Sequence, residues 1–248
     1  MKRFSLLPLC CALVAGCSAP ATQNSAAAPV ASAPTTPTAE TEATTAPATK
    51  TYRVSNLDQP VAQDPAEDAK IRAVLKKIAL APPPLDTKIP DKPRILMNTS
   101  RGPITLELDA KAAPLHVRSF LYLTGKKFYD GVKFHRYADL LGNGSGYIIQ
   151  GGDPLTKNAA TEGNAGVGGP GYEVPREYND LKHRKLVIAA ARSQDPDSAG
   201  SQFYITQGEV PFLDEGDGYT VFGKVVKGQS AALALRQNDV IKSVTIQK

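Results

Sequence analysis

Arg94-Ile95-Leu96-Met97-Asn98-Thr99-Ser100-Arg101-Gly102-Pro103-Ile104-Thr105-Leu106-Glu107-Leu108 reads as two strands joined by a tight turn. Ile104, Leu106 and Leu108 alternate with Thr105 and Glu107. That period of two puts one face of a strand in a core and the other toward water. Thr99-Ser100-Arg101-Gly102 is the turn. Downstream, Pro114 opens a helix through Thr124, with Val117, Phe120 and Leu121 facing inward and Gly125 as its stop. Short strand-like runs follow at Val132–Arg136, Tyr147–Gln150, Leu186–Ala190, Gln202–Thr206, Thr220–Val226 and Val240–Gln247, with a second helix around Ser230–Gln237. Many short strands, Gly-rich turns and two helices predict a mainly β chain whose sheet closes into a barrel capped by helices. Strands and helices do not alternate, so nothing supports a parallel sheet.

Upstream, Asp64-Pro65-Ala66-Glu67 carries a capping Asp, Pro in the first turn and Glu three residues after the cap. Ile71, Val74, Leu75 and Ile78 then form one apolar face, until Ala81-Pro82-Pro83-Pro84 stops it. A short helix near 65–80 is expected, inside an extension over 51–90 that precedes a domain over 91–248. Whether it docks on that domain or on a partner is open at this point. Residues 18–50 are Ala, Thr, Pro and Ser with almost no large apolar side chain. Such a segment buries too little surface to offset its ordering entropy and reads as a flexible tether. Lys2 and Arg3 form a basic start, and Phe4–Val14 is an apolar run of signal-peptide length, too short to span a bilayer. It ends Leu13-Val14-Ala15-Gly16-Cys17. This resembles the bacterial lipobox, which implies a signal peptide over 1–16 and a lipidated Cys17 at the head of a tether over 17–50. Ser18 after the cysteine implies transfer to the outer membrane of a cell that has one, with the protein in the periplasm. An ordinary signal peptide cut near Ala19 would instead free the protein.

The formal charge is +5, and Lys2 and Arg3 supply two of those charges, so the remainder gives no electrostatic case for nucleic acid. Lys182-His183-Arg184-Lys185, the densest basic run, reads as a solvated loop. All three cysteines lie within the first 17 residues, which leaves the body without a disulfide, a thiolate zinc site or a thiol nucleophile. Gly166-Val167-Gly168-Gly169-Pro170-Gly171 fits G-x-G-x-x-G, but Pro170 and the extended Tyr172-Glu173-Val174-Pro175 follow where a dinucleotide site needs a helix. His116, His135 and His183 are widely spaced and lack acidic companions at ligand spacing, so no metal is expected. No G-x-S-x-G elbow is present.

Four blocks carry a likeness to a known family: Phe128-Tyr129-Asp130-Gly131-Val132-Lys133-Phe134-His135-Arg136; Tyr147-Ile148-Ile149-Gln150-Gly151-Gly152-Asp153-Pro154; Asp195-Pro196-Asp197-Ser198-Ala199-Gly200-Ser201-Gln202-Phe203-Tyr204-Ile205; and Phe212-Leu213-Asp214 followed by Tyr219-Thr220-Val221-Phe222-Gly223-Lys224-Val225. In that order and spacing they resemble the cyclophilins, over about 94–248. The resemblance implies a closed eight-stranded antiparallel barrel with two capping α-helices and a proline-binding groove on its outside. The activity implied is peptidyl-prolyl cis-trans isomerisation, with no cofactor.

A prolyl bond crosses a barrier of about 18–20 kcal/mol because the amide resists twisting. No bond breaks, so a catalyst needs only to favour the twisted amide over both planar forms. A dry slot for the proline ring and a donor for the redistributing charge suffice. The resemblance gives Arg136 as that donor, with Gln150 holding it. It implies substrate contacts at Gln202 and, in the segment before the third block, at Ala191 and Arg192. Tyr147, Ile148, Tyr204 and Leu213 are expected as pocket walls, while Phe203 alternates with Tyr204 and should point inward. Phe212 and Tyr219 stand where many eukaryotic members carry tryptophan and histidine, which implies weak cyclosporin binding with activity retained. Tyr147 and Tyr204 replace phenylalanines common in the family, and their hydroxyls need partners. The loop Tyr137–Gly146 is longer than the family's usual link, and its glycines read as a mobile flap. The expected partners are proline-containing polypeptides and, through Cys17, a membrane; a monomer is expected. A non-catalytic module gripping proline segments, a holdase, or a surface adhesion protein remain as alternatives. Arg136, Gln150 and Gln202 together favour the enzyme.

Overall fold

The computed structural model describes residues 51–247, so the expected signal peptide, the expected lipidation at Cys17 and the expected tether lie outside the described residues. The extension contributes β1 (Arg53–Val54) and α1 (Pro65–Ile78). The body follows as β2 (Arg94–Thr99), β3 (Gly102–Leu108), α2 (Pro114–Gly125), β4 (Arg136–Asp139), β5 (Tyr147–Gly151), β6 (Tyr172–Glu173), β7 (Val187–Ala190), β8 (Phe203–Thr206), β9 (Val221–Lys227), α3 (Gln229–Ala234) and β10 (Ile241–Gln247). Eight strands form one antiparallel sheet in the order β10-β2-β3-β9-β7-β8-β5-β4. The hairpin at 94–108 is its β2–β3 pair, with Thr99 opposite Gly102.

The expected closed barrel is corrected here to a curled, open sheet. No ladder joins β4 to β10; the chain just before each strand meets the other at an isolated bridge, Lys133 to Val240. Phe134 N–H donates to Asp239 O and Ile241 N–H to Val132 O, both at 2.8 Å. The expected strand Val132–Arg136 is thus a short crossing, and the regular strand begins where it ends. The cause lies in the turn facing it. Asn238 sits at φ 71°, and the Asp239 carboxylate binds Ser100 Oγ at 2.6 Å, Arg101 Nε at 2.8 Å and Arg236 N–H at 2.7 Å. Those contacts hold the entrance to β10 in a turn, where a ladder cannot form.

Inside the curl, Ile95, Met97, Ile104, Leu106, Ile149, Phe203, Ile205 and Phe222 pack with Val117, Phe120 and Leu123 of α2. Phe203 meets the rings of Phe120, Tyr129 and Phe134, inward as its register requires. No side chain caps the start of α2; Glu177 reaches it from a distant loop, its carboxylate accepting from Leu115 N–H at 2.8 Å and His116 N–H at 3.0 Å. A negative charge there satisfies orphan amides and suits the helix dipole.

The extension docks on the body. Asp64 caps α1 by accepting from Glu67 N–H at 2.8 Å. Ile71 and Leu75 are buried against Leu155, with Leu57, Val61, Val74 and Ile78 around them. Burying each such side chain contributes about 1.5–3 kcal/mol, enough to hold one short helix. β1 pairs with β6, Leu80 N–H donates to Pro170 O at 2.8 Å, and Tyr52 Oη donates to Leu115 O at 2.8 Å. Gly171 stands at φ 92°, and a Cβ there would lie 2.7 Å from the Ala79 methyl, so the end of α1 requires glycine at that point.

Candidate active site

β4, β5, β8 and β7 present their outer faces side by side. Arg136 on β4 is opposite Gln150 on β5, and Gln150 is opposite Tyr204 on β8. Arg136 Nη1 donates to Gln150 Oε1 at 3.3 Å, and Gln150 Nε2 donates to Gln202 Oε1 at 3.0 Å. Gln202 Nε2 in turn donates to the carbonyls of Gly166 and Gly168, both at 2.9 Å. That glycine loop is fixed from below by Asp153, whose side chain is wholly buried. Its Oδ2 accepts from Gly166 N–H at 2.6 Å and Gly168 N–H at 2.9 Å, and its Oδ1 from Leu155 N–H at 2.8 Å. The G-x-G-x-x-G stretch therefore uses its amides on a carboxylate of its own chain. A Cβ at Gly168 would lie 2.0 Å from Asp153 Oδ1, so no other residue fits there.

Beside this chain of amides lies a cleft of about 260 Å³, lined by Arg136, Leu140, Ile148, Gln150, Ala191, Arg192, Tyr204, Phe212, Leu213 and Tyr219. Ile148, Tyr204 and Leu213 are buried in a small apolar cluster on the outside of the sheet, with Ala189, Val210 and Val221. Phe212 is exposed at the rim. Arg136 is exposed at the end of its strand, where a substrate could reach it. Arg192 is engaged differently from the expected substrate contact. Its guanidinium donates to Gly218 O at 2.9 Å and Ser193 O at 2.9 Å and lies 4.3 Å from the centre of the Tyr219 ring. It ties one wall of the cleft together. Ala191 N–H is also occupied, by Gln202 O at 3.0 Å.

Two expected wall or contact residues fall outside this cleft. Tyr147 is one residue out of phase with Ile148 and shares the other face of β5 with Ile149. Its ring stacks on Tyr137 at 4.8 Å, which gives it a structural partner away from this cleft. Gln202 lines an adjoining cleft that shares Gln150, Ala191 and Arg192 with the first. The loop Tyr137–Gly146, read as a flap, folds around the Asp139 carboxylate, which accepts from Leu141 N–H at 3.2 Å, Gly144 N–H at 2.6 Å and Gly146 N–H at 3.2 Å. From that fold it supplies Leu140 to the cleft.

His183 is the residue that sequence reasoning misplaced. Its neighbours Lys182, Arg184 and Lys185 are exposed as expected, but His183 itself is buried beneath the cleft. Its Nδ1 lies 2.6 Å from Asp214 Oδ1, and its Nε2 lies 2.7 Å from Tyr204 Oη. With Nδ1–H held by the carboxylate, Nε2 accepts from the tyrosine. The added hydroxyl of Tyr204 thus has a partner, which anchors a side chain that lines the cleft. Burial keeps the His183 imidazole below its usual range, against the opposing pull of Asp214 and with a smaller push from Lys182. Burial likewise lowers His135, which Asp153 opposes and Arg136 reinforces. Only the tyrosine at 204 and the histidine in a basic run could have suggested this contact. Among the described residues no cluster of His, Cys, Asp or Glu could hold a metal ion.

Residues 94–248 match the family described as Cyclophilin type peptidyl-prolyl cis-trans isomerase/CLD. The chain belongs to the cyclophilin family. A peptidyl-prolyl cis-trans isomerase of Helicobacter pylori is 36% identical over 152 residues, covering 60% of this chain and 83% of that protein. Peptidyl-prolyl cis-trans isomerase A of Dickeya dadantii is 34% identical over 157 residues, covering 58% and 70%. A cyclophilin type isomerase of Cryptosporidium parvum, solved in the presence of the dipeptide Ala-Pro, superposes with a TM-score of 0.52 at 27% identity, covering 62% of this chain and 99% of that one. The match starts just past the extension, so β1 and α1 are additions to the family's domain in this cyclophilin.

Tyr204→Phe should lower unfolding free energy in urea by about 1–3 kcal/mol, because it leaves the buried His183 Nε2 without a donor. Turnover should stay within a few-fold, since the ring remains; an unchanged midpoint would show that the hydroxyl contact contributes nothing. Both buried imidazoles have folded pKa values below the unfolded value of 6.5. The unfolded chain therefore binds protons first, and stability should fall as pH drops below about 6.5, levelling once the folded pKa values are passed. Thermal melts between pH 8 and 5 check this, and His183→Gln should flatten the decline.

Proposed function

We propose that this cyclophilin accelerates Xaa-Pro rotation in exported polypeptides and so assists their folding, held on the cell envelope by a lipid at Cys17. The observation that carries the catalytic part is the Arg136 guanidinium at the mouth of a cleft whose walls are Ile148, Tyr204 and Leu213. The apolar walls take the proline ring and exclude water, while the preceding residue turns about the amide. As that amide twists it loses resonance: its nitrogen becomes pyramidal and its charge redistributes. A guanidinium carries five donors in a fixed fork. One is engaged by Gln150, so others can reach the proline carbonyl and the nitrogen. An interaction that strengthens only in the twisted form lowers the barrier without trapping either planar isomer. Gln150 and Gln202 hold that fork through the chain of amides ending at Asp153, and Gln150 is placed to touch substrate backbone as well. Ala191, Arg192, Phe212 and Tyr219 frame the cleft around the residues flanking proline. Support for the envelope address is the run Lys2–Cys17 and the Ala/Thr/Pro-rich stretch behind it. Two or three acyl chains give durable anchoring, and a tether of that composition lets the domain reach clients away from the lipid.

On a short Xaa-Pro peptide the wild type should outpace the uncatalysed interconversion, which takes tens of seconds or longer. Arg136→Ala should lower kcat/KM by about 10²-fold or more with folding intact, the scale of losing one electrostatic donor. A wild type no faster than solvent would remove the enzyme reading in favour of a binding module, and an unchanged rate in the variant would remove the role of Arg136. For the anchor, mass spectrometry of the mature N-terminus should find an acylated Cys17. A free amine at Ala19 or Thr22 would contradict it.

A further inference from the structure

A groove of about 520 Å³ lies across β3, β9 and β7, and it shares no lining residue with the proline cleft. Glu107, Lys224 and Val187 are register neighbours on those three strands and face it, while Leu106 and Ile188 beside them point into the core. The floor is apolar: Val221 and Val225 are buried, and Leu181, Leu186 and Val187 are half-buried. The rim is basic, with Lys182, Arg184 and Lys185 on the segment that enters β7, Lys224 on β9 and Lys92 just before β2. Lys92 is paired with Asp109, and Arg184 with Glu209 at 3.4 Å. Of the carboxylates lining the groove, Asp109 is thus taken, and Glu107 is held by Arg94 at 2.9 Å. Among the described residues this leaves Lys182, Lys185 and Lys224 without an ion pair, against Asp180 alone.

The basic segment is held in place from beneath. His183 is fixed by Asp214 and Tyr204, its carbonyl accepts from Val210 N–H at 3.0 Å, and Thr206 Oγ1 donates to Arg184 O at 2.6 Å. Leu186 stands at φ 68°, with its N–H donating to Thr206 O and its carbonyl accepting from Val225 N–H, both at 2.8 Å. A leucine rarely adopts that left-handed backbone, and such strain persists only where the surroundings impose it. The strained turn sets Lys185 on the rim and Leu186 in the floor.

We propose that this groove docks an acidic, extended segment of a partner polypeptide, in which carboxylates alternate with apolar side chains. Successive side chains of an extended chain point to opposite sides. The apolar set covers the floor, and the carboxylates meet the rim lysines, whose long flexible stems carry the ammonium groups to them. Unpaired like charges around one groove repel each other, and an anionic segment relieves that repulsion. A flat anionic lipid surface would touch the rim and leave the concave floor wet. A basic segment would meet like charge on both sides.

The test titrates the full chain by calorimetry, at low salt, with Asp-Leu-Asp-Leu-Asp-Leu and with the same peptide carrying Lys for Asp. Neither contains proline, so the proline cleft does not compete. The wild type should bind the acidic peptide at least about tenfold more tightly than the basic one. Lys182→Gln/Lys185→Gln/Lys224→Gln should weaken the acidic peptide by about tenfold or more, the scale of losing three surface charge pairs at once. Removing the same charge from α1 and the segment after it, with Lys70→Gln/Lys77→Gln/Lys88→Gln, should leave the affinity within about twofold, since distant surface charges are screened. A wild type that does not distinguish the two peptides overturns the proposal, as does an equal loss in both triple variants. If the groove variant loses the wild-type thermal transition, Lys185→Gln decides alone, and an unchanged affinity in it overturns the proposal. A preference for phosphatidylglycerol over phosphatidylcholine vesicles that the groove variant abolishes, with no acidic peptide bound, overturns it in favour of a lipid partner.

Discussion

The alternation of side chains along two neighbouring strands, β5 and β8, sets both the core and the active face of this molecule. Ile149, Phe203 and Ile205 point into the curl of the sheet, and Ile148, Gln150, Gln202 and Tyr204 point out of it. A strand has no third option, so a slip of one residue would exchange the hydrophobic set for the polar one. The aromatic packing of Phe203 against Phe120, Tyr129 and Phe134 makes such a slip costly. The buried rings therefore fix the register of the residues on the opposite, cleft-facing side. Stability and catalysis share one constraint here, seen from opposite sides of a sheet.

The outer face would still be loose if its polar side chains were left to water. Instead the amides are linked in sequence, from Arg136 through Gln150 and Gln202 to a glycine loop that grips Asp153. The only member wholly removed from water is the last one, and it is satisfied by backbone N–H groups. Below the slot, His183 does for Tyr204 what Asp153 does for Gln202. In both places a buried charged or polar group fixes the direction of a side chain that the cleft displays.

Much of this was legible in the sequence, because periodicity and motif order survive without coordinates. The hairpin, α1 and both body helices rest on local pattern, while the grouping of Arg136, Gln150, Ile148, Tyr204, Leu213 and Tyr219 came from the resemblance carried by the four motif blocks. What was not legible depends on contacts between distant segments. Closure of the barrel turns on the Asn238–Asp239 corner, where two side chains and one backbone N–H on a single carboxylate outweigh the strand propensity of Val132–Phe134. Tyr147 reads as a wall residue by its type, but its parity with Ile149 puts it on the wrong face. His183 sits among lysines and arginine, so composition calls it solvated; only the fold brings Asp214 and Tyr204 to its two nitrogens. The glycine run looked like a failed phosphate loop, and its actual partner, Asp153, lies before it in the chain with nothing local to connect them.

The size of the catalytic task explains why so much structure serves so few reacting groups. The barrier is about 18–20 kcal/mol, and each tenfold in rate corresponds to about 1.4 kcal/mol. One well-placed donor supplies about 2.7–4 kcal/mol, so a single guanidinium and a dry apolar slot can supply a useful acceleration with no covalent step. Such a donor is effective only if it meets the twisted amide without first reorganising, since each ångström of misplacement can cost about 10²-fold. An exposed arginine on a short strand end would wander if left alone. The hydrogen-bond chain from a buried carboxylate to Gln150 gives it a preferred direction, and the rigid walls at Ile148, Tyr204 and Leu213 set where the amide must be. In the proposed role, the precision belongs to the scaffold, and Arg136 has only to stay where Gln150 holds it.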